Sequence, residues 1–347
     1  MTATATLAPT ATTGPLAPPP ATTLSIANDN QEQLLEDIKA HNVEPLWTKM
    51  TKLNPPTPAP KAIAHKFEYA ALRPHLIRAG ELVTEKQAER RVLMLINPAM
   101  EAPNTTDTLY AGLQLVMPGE TAPAHRHTAF ACRFIIEGNG GFTAVHGRRI
   151  KMHRGDFILT PTWCYHDHGN DSAATPMIWL DGLDLPQFQH YPVHFVQHYK
   201  DPRYPAEDAP TSPIVFPWVD MQAALDATKG KQAHSIVRYT SQEPGHEGEE
   251  VSKIIGAQCE RLDAGAKTVP VQETTSAVYH CVDGQGRTKI GDKVIEWVKG
   301  DTFTVPSWQE YTHEADVDSY LYRFDDRPMI TALGFYRNAT EDFYNQV

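Results

Sequence analysis

The sequence predicts a protein dominated by β-strands, in which one sandwich or barrel unit occurs twice behind a short N-terminal helical region. From residue 107 to about 197, short apolar runs alternate with Gly, Pro and Asn turns, a spacing typical of sandwiches and barrels. The segment GDFILTPTW at 155–163 returns as GDTFTVPSW at 300–308. Since self-similarity marks a repeated structural unit, the chain is expected to contain the same all-β unit twice.

The N-terminal part of the chain changes in composition near residue 28. Residues 1–28 are rich in Ala, Thr and Pro and contain no Lys or Arg, which predicts a disordered tail and excludes a signal or transit peptide. Asn30 is expected to cap a helix through QEQLLEDIKAHN, because the apolar residues of that segment fall on one face. The later segment ERRVLMLINP predicts a buried strand. We therefore expect a helical and strand region at 29–104.

The remainder of the chain divides into three parts by its strand pattern. The first all-β unit is predicted at 105–199 and the second at 251–347. Between them, 200–250 is rich in proline and acidic residues, which is typical of a linker that follows the surface.

Composition excludes several classes of partner. The formal net charge of −11 argues against nucleic acid, because proteins that bind the phosphate backbone carry a clustered positive face. No apolar run approaches the ~18 residues of a membrane helix, so a soluble, cytoplasmic protein is expected. The four cysteines lie far apart without a CxxC pair, which favours reduced thiols: Cys132, Cys164, Cys259 and Cys281.

The stretch PAHRHTAF contains the first candidate metal ligands, His125 and His127. Side chains two residues apart on a strand point the same way, so both imidazoles are expected on one face of a sheet. Five residues separate Gly119 from His125, and further along the chain five residues separate Gly155 from Pro161, with His166 beyond it. These two spacings resemble the two motifs of the cupin fold, a double-stranded β-helix or jelly roll.

The cupin resemblance makes His166 the third ligand and predicts two tandem cupin domains. His168 competes for that place, but the spacing favours His166. The glutamate usual after the His-x-His pair is replaced by Ala131 and Cys132, so a site of three histidines is expected. Imidazole suits Zn, Cu, Fe and Ni alike, so the ligands leave both a hydrolytic zinc site and a dioxygen-activating iron site open.

The second unit differs at the three corresponding positions, which hold Val271, Glu273 and Tyr311. A valine cannot bind a metal, so the second domain is expected to be metal-free and the chain to hold one metal ion.

The motifs HRHT, MHRGDFILTPTW, HDHGN and WLDGLD resemble those of gentisate 1,2-dioxygenase, in the group that also includes salicylate 1,2-dioxygenase and 1-hydroxy-2-naphthoate dioxygenase. The similarity runs from EPLWTKM at 44 to GFYR at 337 and is strongest across the first unit. It implies a homo-oligomer, a tetramer in the family, that uses one Fe(II) per chain. The implied reaction, in aromatic-compound catabolism, cleaves gentisate with O2 to give maleylpyruvate.

The same resemblance implies roles for individual residues. Iron is held by His125, His127 and His166, while His168 and Asp181 are catalytic. Substrate contacts fall on Arg90, Arg133, Tyr110, Gly112 and Gln114. The two arginines are suited to the substrate carboxylate and phenolate, since the guanidinium fork matches paired oxygens.

Two departures from the family pattern bear on the substrate. The family commonly has a glutamine-containing stretch where this chain has 129–132, and tyrosine at 110 replaces the tryptophan of salicylate-cleaving relatives, which favours gentisate. Salicylate or 1-hydroxy-2-naphthoate cleavage stays open, as does a non-catalytic, metal-binding bicupin.

Overall fold

The computed structural model describes residues 31–339 and falls into two compact units, Met1–Pro56 and Thr57–Val347. In the first, the helix expected after Asn30 is confirmed as α1 (Gln31–Lys39), with Glu32 in its first turn and Lys39 in its last, where these charges oppose the helix dipole. A 3-10 turn at Leu46–Thr48 and the short α2 (Met50–Leu53) follow. The tail predicted at 1–28 lies outside the described residues.

Strand is the predominant regular structure of the second unit, which confirms the predicted β-dominated class. Its helices are α3 (Tyr69–Leu82), α4 (Glu85–Ala88), α5 (Trp218–Asp226) and α6 (Arg327–Ala332). The strands up to residue 238 are β1 (His65–Phe67), β2 (Val92–Met94), β3 (Tyr110–Val116), β4 (Thr121–His127), β5 (Ala131–Glu137), β6 (Gly141–Val145), β7 (Arg148–Lys151), β8 (Phe157–Thr160), β9 (His166–Asn170), β10 (Met177–Leu183), β11 (Val196–His198), β12 (Glu207–Asp208), β13 (Val215–Phe216) and β14 (His234–Arg238). The later strands are β15 (Gly256–Leu262), β16 (Ala277–Asp283), β17 (Gln285–Ile290), β18 (Lys293–Val298), β19 (Thr302–Val305), β20 (Tyr311–Ala315) and β21 (Ser319–Asp325).

The strand orders repeat within the second unit. The first barrel combines a sheet ordered β13-β8-β5-β10-β3-β2 with one ordered β11-β4-β9-β6-β7-β12. In the second barrel the corresponding sheets are β1-β19-β16-β21-β15-β14 and β18-β17-β20. The core β8-β5-β10-β3 thus recurs as β19-β16-β21-β15, which is the structural form of the internal repeat.

Each large sheet gains an edge strand from the segment that precedes the other barrel. β1 precedes the first barrel but pairs with β19 of the second, where His65 lies opposite Thr304. β13 precedes the second barrel but pairs with β8 of the first, where Val215 lies opposite Ile158. The predicted linker at 200–250 therefore contributes β12, β13, β14 and α5 to ordered structure. The predicted domain boundaries stay a prediction.

The two large sheets pack on each other through alternate residues. On β5, Cys132 and Phe134 face the second barrel, where Phe134 stacks on Tyr322 at 4.4 Å between ring centroids. Ile135 points the other way, into a separate apolar cluster. A strand buried on both faces has an almost continuous apolar sequence, so the buried Arg133 within it marks a special site.

Among residues 31–339, no helix is long and apolar enough to cross a membrane. The four cysteines are free thiols, as expected.

The carboxyl group of Asp326 gives the fold a pH-dependent contact between the barrels. It accepts hydrogen bonds from the Thr108 hydroxyl at 2.5 Å and the Ser276 backbone N–H at 2.9 Å. Burial is the main cause that raises the pKa of Asp326 from 3.8 to about 7. Because the folded state then binds this proton more tightly than the unfolded state, the contribution of Asp326 to stability is full below about pH 4 and is lost as pH rises toward 7.

We expect Asp326→Asn to remove this dependence, because the amide keeps the shape but does not titrate. The free energy of unfolding of the wild type minus that of the variant should fall by up to about 1.4 kcal/mol per pH unit between about pH 4 and 7, and level off above. Urea unfolding of both proteins measures this difference, in which the contributions of the histidines cancel. Parallel stability curves would contradict the assignment.

Candidate active site

The three predicted metal ligands meet across two paired strands of the first barrel. β4 and β9 are antiparallel and place His125 opposite His166, and His127 lies two residues along β4 on the same face. Ligand nitrogens of the three imidazoles lie within 4.8 Å of one another. The structure therefore brings together side chains that are up to 41 positions apart in sequence (166 − 125).

The other ring nitrogen of each histidine lies near a backbone carbonyl oxygen two residues away along the chain. The distances from Nδ1 are 3.4 Å to Pro123 for His125, 2.8 Å to Ala129 for His127 and 3.0 Å to Cys164 for His166. For His127 and His166, a proton on Nδ1 satisfies the carbonyl oxygen and leaves the Nε2 lone pair free, which is the usual arrangement of metal-binding histidines. The residues present thus fit a divalent metal ion.

The electrostatic environment keeps the three rings neutral. Burial is the largest cause that lowers the pKa of His125 to about 2 and that of His127 to about 4, and it places that of His166 well below its usual value. Neighbouring cations act in the same direction, Arg90 on His125 among them. Since a metal ligand must be unprotonated, the site is ready to bind at neutral pH.

Arg90 reaches the triad from the loop before β2. Its Nη2 donates to the Pro123 carbonyl oxygen at 2.8 Å and lies 2.5 Å from His125 Nδ1. Burial, together with the nearby charge of Arg133, lowers the pKa of Arg90 to about 9, so its guanidinium stays a cation at neutral pH.

The opposite wall of the cavity comes from β3, β5 and β10. Strand register places Asp181 of β10 between Gly112 of β3 and Arg133 of β5. Asp181 Oδ1 lies 3.3 Å from Arg133 Nε and accepts a hydrogen bond from Trp179 Nε1 at 2.9 Å. Arg133 Nη1 also donates to the Thr160 hydroxyl. Burial raises the pKa of Asp181 to about 6, although Arg133 opposes that shift.

Tyr110, Gly112 and Gln114 alternate along β3 and share the face that lines the cavity. A Cβ atom at position 112 would lie 2.5 Å from the Tyr110 hydroxyl oxygen and 2.6 Å from Val92 Cγ1, so only glycine lets the tyrosine ring lie where it does. Gln114 Nε2 is buried and has no hydrogen-bond partner among the described residues. The β3 face therefore offers an unused donor.

His168 lies on β9, two residues beyond His166, and is buried. Its Nδ1 is 2.9 Å from the Thr143 hydroxyl on the neighbouring strand β6. Burial and the charges of Arg133 and Arg90 place the pKa of His168 well below its usual value, so the ring is neutral.

These residues share one cavity of about 140 Å³. Nine of the ten predicted site residues line it, and Gly112 lies on β3 between two of them. Sequence reasoning missed the apolar part of the wall, which consists of Val92, Leu183 and Leu185, and did not identify Thr143 and Thr160 as partners of His168 and Arg133. Their sequence signal is weak, because apolar and Thr residues on strands are common everywhere in the chain.

Other histidines lie outside the cavity lining. His146 and His153 are exposed at or beside turns. His198 on β11 is exposed and lies opposite His125 in the strand register, a neighbour that the sequence did not predict.

A jelly-roll barrel that holds three neutral imidazoles beside the buried Arg133 and the half-buried Arg90 defines a metal-dependent cupin enzyme. The family profile described as "Cupin domain" matches residues 112–182, within the first barrel. The chain is 36% identical over 337 residues to gentisate 1,2 dioxygenase 1 of Aquipseudomonas alcaligenes, covering 89% of this chain and 96% of that relative. It is 35% identical to a gentisate 1,2-dioxygenase of Streptomyces sp, covering 89% and 95%.

Among solved structures, the chain matches a salicylate 1,2-dioxygenase from Pseudoaminobacter salicylatoxidans in adducts with gentisate. The TM-score is 0.82 at 31% identity, with 90% of this chain and 94% of that chain covered. The chain belongs to the gentisate 1,2-dioxygenase family of ring-cleaving cupin dioxygenases. The predicted fold class and enzyme class are thereby confirmed.

Proposed function

We propose that the protein is a gentisate 1,2-dioxygenase that holds one Fe(II) per chain on His125, His127 and His166. The ring of gentisate opens between carbons 1 and 2, and both atoms of O2 enter the product, maleylpyruvate. The observation that carries the proposal is the one cavity in which three neutral imidazoles face the buried Arg133 and the half-buried Arg90. The names of the relatives support gentisate as substrate, and so does Tyr110, because the salicylate-cleaving relatives have tryptophan at that position.

Iron(II), when bound by three neutral imidazoles, keeps its full charge and open positions, which supply anion binding and dioxygen activation. The protein contributes recognition of the substrate anion. Arg90 and Arg133 provide cationic hydrogen-bond donors for the carboxylate and phenolate oxygens. Asp181 and Thr160 hold the guanidinium of Arg133 in place before substrate arrives, so Asp181 acts as a positioning residue.

His168 is proposed to exchange a proton with the remaining hydroxyl group of gentisate. The Thr143 hydroxyl beside Nδ1 fixes the ring, and the ring is unprotonated, as a group that accepts a proton must be. Withdrawal of that proton strengthens the electron donation from the hydroxyl oxygen into the ring.

We expect His168→Ala to lower turnover on gentisate by about 100-fold and to leave the metal content near that of the wild type, since His168 is not one of the three ligands. Metal analysis and oxygen uptake on the same preparation measure the two effects. Thr143→Val serves as a milder companion, because it removes the hydroxyl that orients the ring. Equal losses of metal and turnover in His168→Ala would contradict the proton-transfer role.

The substrate is tested by oxygen uptake of Fe(II)-loaded protein with gentisate, salicylate and 1-hydroxy-2-naphthoate in parallel, against a metal-free blank. Uptake matched one-to-one by ring-opened product on gentisate alone is the expected result. Uptake on salicylate, which lacks the second hydroxyl group, would move the specificity to the broader group. No uptake on any of the three would overturn the proposal, and elemental analysis would then separate a zinc enzyme from a metal-binding bicupin without catalysis.

The homotetrameric state and the cytoplasmic location are part of the same proposal and rest on the family resemblance and the composition. Sedimentation equilibrium of the metal-loaded protein tests the first.

A further inference from the structure

The second barrel contains a cavity of about 330 Å³ at the place that corresponds to the metal site of the first. Val271 lies opposite Tyr311 as His125 lies opposite His166, and Glu273 follows Val271 by two residues as His127 follows His125. The cavity is more than twice as large as that of the first barrel, about 140 Å³, and falls within the size range of small-molecule sites. Loss of the metal ligands has therefore not filled the barrel.

The two carboxylates that line this cavity already have their hydrogen-bond donors. Glu260 accepts from His234 Nε2 at 2.8 Å, Gln258 Nε2 at 2.9 Å and the Tyr279 hydroxyl at 3.1 Å. Glu273 accepts from Arg323 Nη2 at 2.8 Å, Arg327 Nη2 at 2.6 Å and the Tyr336 hydroxyl at 3.1 Å. Neither carboxylate is left over for a cationic ligand.

Two buried donors of the lining, by contrast, are unused. His313 Nε2 and Arg327 Nε have no hydrogen-bond partner among the described residues. Trp297 Nε1 donates to the Thr288 hydroxyl at 2.8 Å, and that hydroxyl lies 2.8 Å from His313 Nδ1. Because the Thr288 proton has no other acceptor in the described part of the chain, it goes to Nδ1, and the proton of the neutral His313 ring is then on Nε2.

The rim of the cavity suits the apolar body of a small ligand, and its charges are already paired. The lining arginines Arg238, Arg323 and Arg327 form ion pairs with Glu250, Asp325 and Glu273, so the unused donors, and not an excess of positive charge, are what an acidic ligand would meet. At the rim, Ile236 and Val269 are 51% and 75% exposed, which offers apolar contact to the body of a bound molecule.

We propose that the second barrel is a binding site for a small organic acid, whose carboxylate accepts hydrogen bonds from His313 Nε2 and Arg327 Nε. The site is separate from the metal site and needs no metal ligand. A buried donor without a hydrogen-bond partner lowers the stability of the protein. A carboxylate that accepts from this donor forms a charge-assisted hydrogen bond, which is stronger than the bond that a neutral molecule of the same shape can form.

Full-length, metal-loaded protein titrated with 4-bromobenzoate tests the proposal, with 4-bromobenzamide as the neutral comparison. Calorimetry measures affinity, and anomalous diffraction from the bromine locates the bound molecule. We expect bromine density in the second barrel, and binding there weakened by about tenfold or more in His313→Phe and in Val271→Trp, which fills the cavity from the half-buried wall. The amide should bind at least about tenfold more weakly than the acid.

The metal content distinguishes this outcome from any defect of the first barrel, because neither variant touches the three histidines. Density confined to the first barrel, second-barrel binding that survives both variants, or equal affinity for acid and amide would each overturn the proposal. Since Val271→Trp changes no buried polar contact, it still decides the question if His313→Phe fails to fold.

Discussion

Replacement of His125 by alanine is expected to remove the metal and the oxygen uptake together. The three imidazoles are the one group of ligand side chains of this kind among residues 31–339. His125 lies opposite His166 in the strand register and two residues from His127 along β4. With two ligands left, we expect the metal content to fall by at least about tenfold and turnover on gentisate by about 10³-fold or more. Elemental analysis and oxygen uptake on one preparation measure both.

His153→Ala is the matched control for this substitution. His153 is exposed beside a turn of the same barrel, its side chain lies 3.2 Å from Asp156 and it does not line the metal cavity, so the variant should keep its metal and its activity. Retention of metal and turnover in His125→Ala would refute the three-histidine assignment, and a loss in both variants would indicate a general defect of the barrel.

The metal ligands could be predicted from sequence because their signals are local. The two side chains of a His-x-His pair point to the same face of any strand. The PTW and PSW turns are recognisable in the sequence as a repeat, and the structure shows that they share one backbone conformation. Trp163 and Trp308 adopt φ values of 65° and 61°, and their backbone N–H groups donate to the carbonyl oxygens of His127 and Glu273. These paired turns anchor the ends of the equivalent segments in both barrels.

The rest of the site was predictable only through the family resemblance. Asp181 and Arg133 are 48 positions apart (181 − 133), and their contact depends on the register of β10 with β5, which tertiary packing sets. The exchange of β1 and β13 between the barrels has no local signal at all, because a three-residue and a two-residue strand carry no detectable periodicity. For the same reason, the ordered strands within 200–250 were predicted as a linker.

The second large effect is expected at the buried pair of Arg133 and Asp181, whose side chains are 3% and 7% exposed. Arg133→Met keeps the length of the side chain but leaves the Asp181 carboxylate without its cation, which should lower the free energy of unfolding by about 3–5 kcal/mol. Without Arg133 the pKa of Asp181 rises above its present value of about 6. The carboxyl group can then stay protonated near pH 6, so the loss of stability should grow as pH rises toward 8.

Arg133→Met combined with Asp181→Asn separates the structural part of this effect from the functional part. The amide carries no charge, so the double variant should regain much of the lost stability and its pH dependence should disappear. It should not regain activity, because the cationic donor for the substrate anion is still absent and its loss weakens gentisate binding as well as turnover. Urea unfolding across pH and oxygen uptake across gentisate concentration measure the two parts. If Arg133→Met were as stable as the wild type, the Asp181 carboxylate would not depend on Arg133. If the double variant were active, Arg133 would support only the fold and Arg90 would recognise the substrate.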